Sequence, residues 1–330
     1  MYEDDEPQLF SERPEWKDVT PVYQYENVNP LAPILYSDEY KDATDYLRGV
    51  LKTGEKSERV LTLTESVIRL NPAHYTAWQC RYETLIAIGA SLEAELRLMD
   101  PIAIKHLKNY QVWHHRRLLL TRLGPSAARP ELSFLAKSLK VDTKNYHTWS
   151  YRQWLLAFFN DEDLWADELD FIEAMIVDDV RNNSAWHHRF FVVWASGVHE
   201  GENDRDRVLR REITFTKQNI SLAPNNPSAW NYLRGMLEYN KIPFSNFRRF
   251  AEPYTQRSVA EDADVVDLEN PPPTSQAQLP CPLAIEFLAD IYEADGEIPK
   301  ATELWKSLGD EHDTIRKRRY WEHRVREAAV

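Results

Sequence analysis

A tryptophan that recurs at a nearly constant interval constrains the fold of this chain more than any other feature. It holds the same place in five similar segments, and successive copies are 35, 36, 37 and 44 residues apart. The segments are AHYTAWQCR (73–81), KNYQVWHHR (108–116), KNYHTWSYR (144–152), RNNSAWHHR (181–189) and NNPSAWNYL (225–233). A fixed period of this length, with helical patterning throughout, predicts an array with one helix–turn–helix hairpin per repeat.

Polar residues flank each tryptophan at fixed distances. Four residues before it stands an asparagine in the last four repeats and His74 in the first. Asparagine is a preferred N-cap because its side-chain oxygen accepts a hydrogen bond from a free N–H of the first helical turn. An arginine follows three residues after each of the first four tryptophans, on the same helix face. We expect Trp and Arg to hold successive hairpins together, with Arg over the indole or bound to carbonyls of a neighbouring hairpin.

Composition excludes several classes of protein. Glycine is scarce, with 9 copies in 330 residues, which argues against folds built on glycine-rich turns. The net charge of −13 argues against a binder of nucleic acid, which would normally show a basic footprint. Cys80 and Cys281 form no CxxC pair, so a reducing compartment is expected. The longest apolar stretches have six residues, far short of the roughly 20 of a membrane span, so we predict a cytoplasmic protein without a transmembrane segment.

The chain divides by composition into an arm, a repeat domain and an insertion. Residues 1–37 contain five prolines and no helical period, which predicts an extended or disordered arm. Helical patterning begins at Asp38, so residues 38–330 are assigned to the helical-repeat domain. Within it, residues 257–282 combine acidic residues with five prolines, which predicts a mobile insertion.

A cation stands five residues before the tryptophan in the three middle repeats, just outside the predicted helix start. These cations are Lys108, Lys144 and Arg181. Helix N-termini carry partial positive charge and free N–H donors, so a row of such cations favours an anion site, most simply for phosphate or diphosphate. The alternative is three solvated cations paired with nearby acidic residues such as Asp142 and Asp178–Asp179. No HExxH zinc motif, P-loop or nucleophile elbow accompanies the row in the sequence.

Longer stretches around the repeats carry a resemblance to a known family. They are KNYQVWHHRR (108–117), KNYHTWSYRQW (144–154), DVRNNSAWHHRFFV (179–192) and NNPSAWNYLRG (225–235), with the N-terminal WKDVTP (16–21) and LYSDEYKDATDYLRGVL (35–51). Together they resemble the α subunit shared by protein farnesyltransferase and protein geranylgeranyltransferase type I, over nearly the whole chain apart from 257–282. The resemblance implies an all-α fold, a crescent-shaped, right-handed superhelix of αα-hairpins that curves around a second, β, subunit.

The same resemblance implies an activity and a set of site residues. The reaction joins a farnesyl or geranylgeranyl group from its diphosphate to the cysteine of a C-terminal CaaX sequence. Lys108 is implied to contact the leaving diphosphate, where a fixed ammonium stabilises the transition state more than the ground state. Gln111 is implied to bind the terminal carboxylate of the CaaX protein. The residues implied to lie beside the diphosphate and the subunit edge are Tyr110, Asn145, Tyr146 and His147.

The resemblance also implies what other molecules take part. No cofactor is expected in this chain, Zn²⁺ is expected in the β subunit, and it stays open whether Mg²⁺ accompanies the diphosphate. Two alternatives to the CaaX enzymes stay open as well, the α subunit of Rab geranylgeranyltransferase and a non-catalytic helical-repeat scaffold. The intact KNYQ, with its Gln111, favours the CaaX enzymes, but the sequence does not decide which lipid is transferred.

Overall fold

The fold of the chain is helical. A computed structural model describes residues 8–26, 28–196, 204–257, 267–315 and 318–328, and these ranges contain helices but no β-strand. The predicted all-α class is therefore confirmed. The chain divides into two compact units, Met1–Leu164 and Trp165–Val330, and this boundary lies inside the predicted repeat domain 38–330.

The first unit consists mainly of three helical hairpins that follow a single first helix. In chain order its helices are α1 (Asp38–Thr53), α2 (Glu58–Leu70), α3 (Tyr75–Ile88), α4 (Leu92–Lys105), α5 (Tyr110–Leu123), α6 (Ala128–Val141) and α7 (Tyr146–Phe159). The short helix α8 (Glu162–Trp165) covers the boundary between the units. Helices α2 and α3, α4 and α5, and α6 and α7 pack as pairs, as the repeat period predicts.

The second unit contains two further hairpins and a C-terminal helical group. Its hairpins are α9 (Glu168–Asp178) with α10 (Asn183–Phe190), and α11 (Arg205–Leu222) with α12 (Pro227–Tyr239). A π-helical turn, Phe191–Ala195, continues α10. The remaining helices are α13 (Arg248–Ala251), α14 (Pro282–Ala294), α15 (Ile298–Ser307) and α16 (Arg318–Glu327).

The second helix of each hairpin begins where the sequence predicts. The four asparagines accept hydrogen bonds from first-turn N–H groups, and His74 Nδ1 accepts one from the N–H of Ala77. Every repeat tryptophan is buried, and its indole N–H donates to the carbonyl six residues earlier. These bonds are 2.8–2.9 Å long and join Trp78 to Pro72, Trp113 to Leu107, Trp149 to Thr143, Trp186 to Val180 and Trp230 to Pro224. Each tryptophan thus fastens the loop before its own helix.

Buried carboxylates join one hairpin to the next through the repeat arginines. In three pairs the arginine Nε and Nη2 donate to both carboxylate oxygens at 2.7–2.9 Å, with both side chains no more than 3% exposed. The pairs are Arg81–Glu95, Arg116–Glu131 and Arg189–Glu212. The expected bonds to carbonyls also form, but within the same hairpin, from Arg81 Nη1 to Leu61 (2.6 Å) and from Arg116 Nη1 to Leu96 (3.2 Å). The neighbouring hairpin supplies a carboxylate because a buried guanidinium needs an opposite charge.

Glu95 shows how tightly these carboxylates are held. Besides Arg81, His115 Nε2 lies 2.9 Å from its Oε1. Burial by itself would raise the pKa of Glu95, but the hydrogen bonds from His115 and Arg81 lower this pKa to about 2. Burial lowers the pKa of His115, so its imidazole is neutral at pH 7 and donates an N–H to the carboxylate.

The N-terminal arm is packed over part of its length. Phe10 and Trp16 are buried, and the ring centroids of Trp16 and Tyr46 of α1 lie 5.8 Å apart. Asp42 of α1 accepts the N–H of Phe10 at 2.6 Å. The predicted extended arm thus packs against α1 through two aromatic side chains, a buried site that the proline content does not indicate.

The predicted mobile insertion is also partly anchored. Lys217 of α11 donates to the carbonyl of Glu269 at 2.9 Å and to Oδ1 of Asn270 at 3.0 Å. The hydroxyl of Tyr254 donates to the carbonyl of Pro271 at 2.7 Å. Carbonyls of residues 267–282 thus satisfy donors of the helices, residues 258–266 lie outside the described ranges, and the mobility of the insertion stays a prediction.

Candidate functional site

The second helix of each hairpin in the first unit begins with an exposed tyrosine. Tyr75, Tyr110 and Tyr146 are the first residues of α3, α5 and α7, and they are 72%, 71% and 70% exposed. We call this set the tyrosine edge. In the second unit the same position holds Asn183 and Pro227, so the repeat supplies the aromatic side chain only in the first unit.

Three of the predicted site residues meet at this edge. The ring of Tyr110 lies edge-on to that of His147, with centroids 4.3 Å apart, and Tyr146 lies 5.4 Å from the same imidazole. Burial lowers the pKa of His147, so the imidazole is neutral at pH 7. Gln111 is half-buried beside Tyr110, and its side-chain amide has no hydrogen-bond partner among the described residues. Two phenols, an imidazole and a free amide thus lie at neighbouring helix starts.

Lys108 lies on the wall of an open depression of about 430 Å³. Lys105, His106, Asn109 and Asp142 also line this depression. Lys108 is exposed and forms no ion pair within the part of the chain that the structure describes. Burial, and after it the charge of Lys105, lowers the pKa of His106, so two ammonium groups beside a neutral imidazole face the depression. Such a surface can bind an anion.

Asn145 is the N-cap of α7 and directly precedes Tyr146 and His147. Its side chain is buried, with Oδ1 accepting the N–H of Thr148 at 3.0 Å and Nδ2 donating to Asp142 at 3.2 Å. Asp142 also accepts the backbone N–H of Lys144 at 3.3 Å. The polar atoms of Asn145 are therefore engaged in shaping the loop before α7, and the residue positions its neighbours.

The acidic residue near Arg181 also accepts a backbone N–H. Asp179 accepts the N–H of Arg181 at 2.9 Å, and the Arg181 side chain forms no ion pair with the described residues. The alternative in which aspartates neutralise the cation row is therefore not realised at Lys108 or Arg181. Lys105 and His106 were not predicted as part of this surface, although they directly precede the second repeat segment in the sequence.

The described residues provide no metal-binding cluster of three or more His, Cys, Asp or Glu side chains. His115 and His188 are buried and bonded to Glu95 and Glu168, at 2.9 and 2.6 Å. Cys281 is buried, and burial raises the pKa of its thiol to about 11, so it does not supply a thiolate nucleophile. Over the described ranges, no helix has the length and apolar character needed to span a membrane.

Comparison with known proteins assigns the repeats. The family model of the protein prenyltransferase alpha subunit repeat matches residues 57–87, 92–123, 129–159, 165–196 and 209–240. These five ranges correspond to the five hairpins, from α2–α3 to α11–α12, within a few residues at their ends. Each matched range contains one of the five periodic tryptophans.

Relatives of the whole chain agree with this assignment. The protein farnesyltransferase/geranylgeranyltransferase type-1 subunit alpha of Dictyostelium discoideum is 42% identical over 246 residues, covering 73% of this chain and 74% of that protein. The corresponding Candida albicans protein is 33% identical and covers 94% of this chain and 96% of its own length. The solved structure of Candida albicans protein geranylgeranyltransferase-I complexed with GGPP matches with a TM-score of 0.81 and 29% identity, covering 94% and 97% of the two chains.

The hairpins, together with the matching repeat model, define an α-helical repeat subunit of a prenyltransferase. The chain belongs to the protein prenyltransferase alpha-subunit family. Its function is that of the alpha subunit of the farnesyltransferase/geranylgeranyltransferase type-1 kind, as the resemblance of the sequence predicts. The mouse geranylgeranyl transferase type-2 subunit alpha matches less extensively, at 32% identity over 60% of this chain and 37% of that protein.

Proposed function

We propose that the tyrosine edge and the Lys108 depression bind the diphosphate of a farnesyl or geranylgeranyl donor in a heterodimer with a β subunit. The observation that carries the proposal is the position of Lys108, an exposed ammonium without an ion pair in the described chain, directly before the cap of α5. The helix start adds partial positive charge and free N–H groups to the field of that ammonium.

Lys108 is the residue that we assign to catalysis. When the prenyl group is transferred to a CaaX cysteine, negative charge grows on the departing diphosphate. An ammonium fixed at that position stabilises the charge more in the transition state than in the ground state, and therefore accelerates the chemical step. Tyr110 and Tyr146 both lie against the ring of His147, and the three side chains offer hydroxyl and imidazole hydrogen bonds to the same oxygens.

Gln111 and Asn145 take different parts in the proposal. The side-chain amide of Gln111 has no described partner, so it can donate to the terminal carboxylate of a CaaX protein. Asn145 is committed to its cap and to Asp142, so we assign it to positioning Tyr146 and His147.

The remaining components belong to the complex. Zn²⁺, which would activate the acceptor thiol as a thiolate, is expected in the β subunit, and it stays open whether Mg²⁺ accompanies the diphosphate. The described residues of this chain supply no cluster that fits either metal ion. We expect the heterodimer in the cytoplasm, where both free cysteines would stay reduced.

Single-turnover prenyl transfer tests the proposal. The chain is co-expressed with its β subunit, and transfer from farnesyl and geranylgeranyl diphosphate to CaaX peptides is measured. Lys108→Ala should leave assembly and zinc content unchanged and slow transfer by about 10²–10³-fold, the usual cost of removing a donor to a developing anion. Lys137→Ala, an exposed lysine of α6, is the control. A Lys108→Ala rate equal to that of the control would contradict the assignment, and absence of a co-purifying zinc subunit would favour a scaffold.

A further inference from the structure

The second unit contains an open cavity that is lined by none of the residues of the tyrosine edge. Its volume is about 740 Å³, and it is lined by side chains of α9, α10 and α11. Cavities of about 300–1,000 Å³ are of the size that binds small molecules. The cavity is therefore large enough for a small-molecule ligand.

The charge of the lining favours an anion. Four guanidinium groups, those of Arg189, Arg207, Arg210 and Arg211, line the cavity against two exposed carboxylates, those of Asp170 and Glu173. The whole chain carries a net charge of −13, so this concentration of arginine is contrary to the overall composition. Guanidinium groups present paired N–H donors that match the oxygens of phosphate.

Arg189 departs from the pattern of the other repeat arginines. Nη1 of Arg81, Arg116 and Arg152 donates to the carbonyl of the residue 20 positions earlier. Nη1 of Arg189 makes no hydrogen bond, although the equivalent residue, Leu169, also lines the cavity. Oε2 of Glu173 lies 3.7 Å from this Nη1, beyond hydrogen-bond distance.

An unsatisfied donor at this depth calls for a partner. Arg189 is 2% exposed, its Nε and Nη2 are held by Glu212, and its guanidinium carbon lies 3.7 Å from the ring centroid of Phe215. The group is therefore fixed in position before any ligand arrives. A buried donor left without an acceptor destabilises the fold, and a bound oxyanion would relieve that cost.

Helix α11 completes the site on its exposed side. Arg207, Arg210, Arg211 and Thr214 are spaced by three or four residues, so they share one helical face. Arg210 forms no hydrogen bond or ion pair with any described residue. Its guanidinium is thus available to the cavity, together with the Thr214 hydroxyl.

We propose that this cavity is a binding site for the phosphate group of a small molecule, with Arg189 Nη1 as its buried donor and Arg210 as its exposed cation. The volume exceeds that of a bare phosphate, and Ala166, Leu169 and Phe215 add apolar surface, so the ligand is a phosphate ester. Glu173 limits the affinity, because its carboxylate lies beside the same Nη1.

Equilibrium dialysis with radiolabelled inorganic phosphate tests the site. The full chain is used in complex with its β subunit, at constant ionic strength and with farnesyl diphosphate present to fill the proposed transfer site. Arg210→Gln should weaken binding about fivefold or more, because one of the few unneutralised charges is lost. Glu173→Gln should tighten binding by a similar factor. Arg326→Gln, an exposed arginine of α16 without a described ion pair, is the matched control and should have no effect.

Competition distinguishes the form of the ligand. Glycerol 3-phosphate should displace the label at lower concentration than unlabelled phosphate, since the ester also covers the apolar wall. Equal effects of Arg210→Gln and Arg326→Gln would overturn the proposal, as would an unchanged affinity in Glu173→Gln or no binding up to about 10 mM phosphate. Stronger competition by free phosphate would overturn the assignment of an ester.

Discussion

Replacing Glu95 by glutamine should separate the charge of a buried carboxylate from its shape. The side chain serves two hairpins, since it accepts from Arg81 of α3 and lies against His115 of α5. Glutamine is nearly isosteric, but it carries no charge to balance the buried guanidinium. The loss should therefore reflect electrostatics and hydrogen bonding, with little contribution from a cavity.

The magnitude follows from the pKa of Glu95. In the folded chain it is lowered from 4.5 to about 2, against the opposing effect of burial. Because a difference of one pKa unit corresponds to about 1.4 kcal/mol, the ionised form contributes about 3 kcal/mol to the free energy of unfolding at pH 7. Breaking a buried ion pair by removing one partner typically costs about 3–5 kcal/mol, which agrees with this figure.

Urea denaturation followed by far-ultraviolet circular dichroism measures the effect. A lowered folded pKa stabilises the chain fully above pH 4.5, and this contribution is lost as the pH falls from 4.5 toward about 2. The difference between the native chain and Glu95→Gln should therefore be about 3 kcal/mol at pH 7 and about 1 kcal/mol smaller at pH 3.5.

An exposed ion pair of the same unit provides the control. Glu65 and Arg69 are four residues apart on α2 and are paired at the surface, so Glu65→Gln should cost less than about 0.5 kcal/mol. A Glu95→Gln loss as small as that of the control would refute the reasoning. A difference that stays constant from pH 7 to pH 3.5 would show that the carboxylate does not titrate as described.

Three further predictions concern other parts of the chain. Asn145→Ala should cost about 1–2 kcal/mol, because a cap is lost, and should also slow single-turnover prenyl transfer; an unchanged transfer rate would argue against its positioning role. Lys217→Met should speed proteolytic cleavage within 267–282 about tenfold, because the bonds to Glu269 and Asn270 are lost, and unchanged cleavage would show that other contacts hold the segment. Trp16→Ala should cost about 3–5 kcal/mol in urea denaturation, and a loss below about 1 kcal/mol would mean that the arm detaches at little cost.

The features predicted correctly are those that depend on short distances along the chain. The cap lies four residues before its tryptophan, within the same repeat segment, so the periodic pattern locates the helix starts without knowledge of the packing. The indole bond to the carbonyl six residues earlier, just outside that segment, was not predicted.

The features that were missed depend on packing between distant residues. Arginine and its carboxylate are 14, 15 and 23 residues apart in the three described pairs, because the connections between hairpins differ in length. No fixed spacing identifies these glutamates. The contacts of 267–282 with the helices were not predicted for a related reason. A proline-rich composition does not show that its carbonyls accept hydrogen bonds from buried donors such as Lys217.

The candidate site was predicted unevenly. The cation at Lys108 follows from its place before a cap, and the resemblance indicates Tyr110 and His147, which the structure places in ring contact. The resemblance does not show that Asn145 is buried and already bonded, because a cap and a ligand-binding amide have the same sequence. Whether these residues bind diphosphate stays a prediction for the transfer assay.

In three repeats a carboxylate of the following hairpin neutralises the buried arginine. This pairing limits how such an array can gain or lose repeats during evolution. Arg81 and Arg116 each pair with an equivalent carboxylate of the next hairpin, so duplicating or deleting one complete hairpin repeat keeps an arginine and a carboxylate at each junction. A break at any other place leaves one member of a buried arginine–glutamate ion pair without its partner. Gene rearrangements that insert or delete whole repeats therefore leave the buried charges balanced. Those that break a repeat are expected to be eliminated by misfolding.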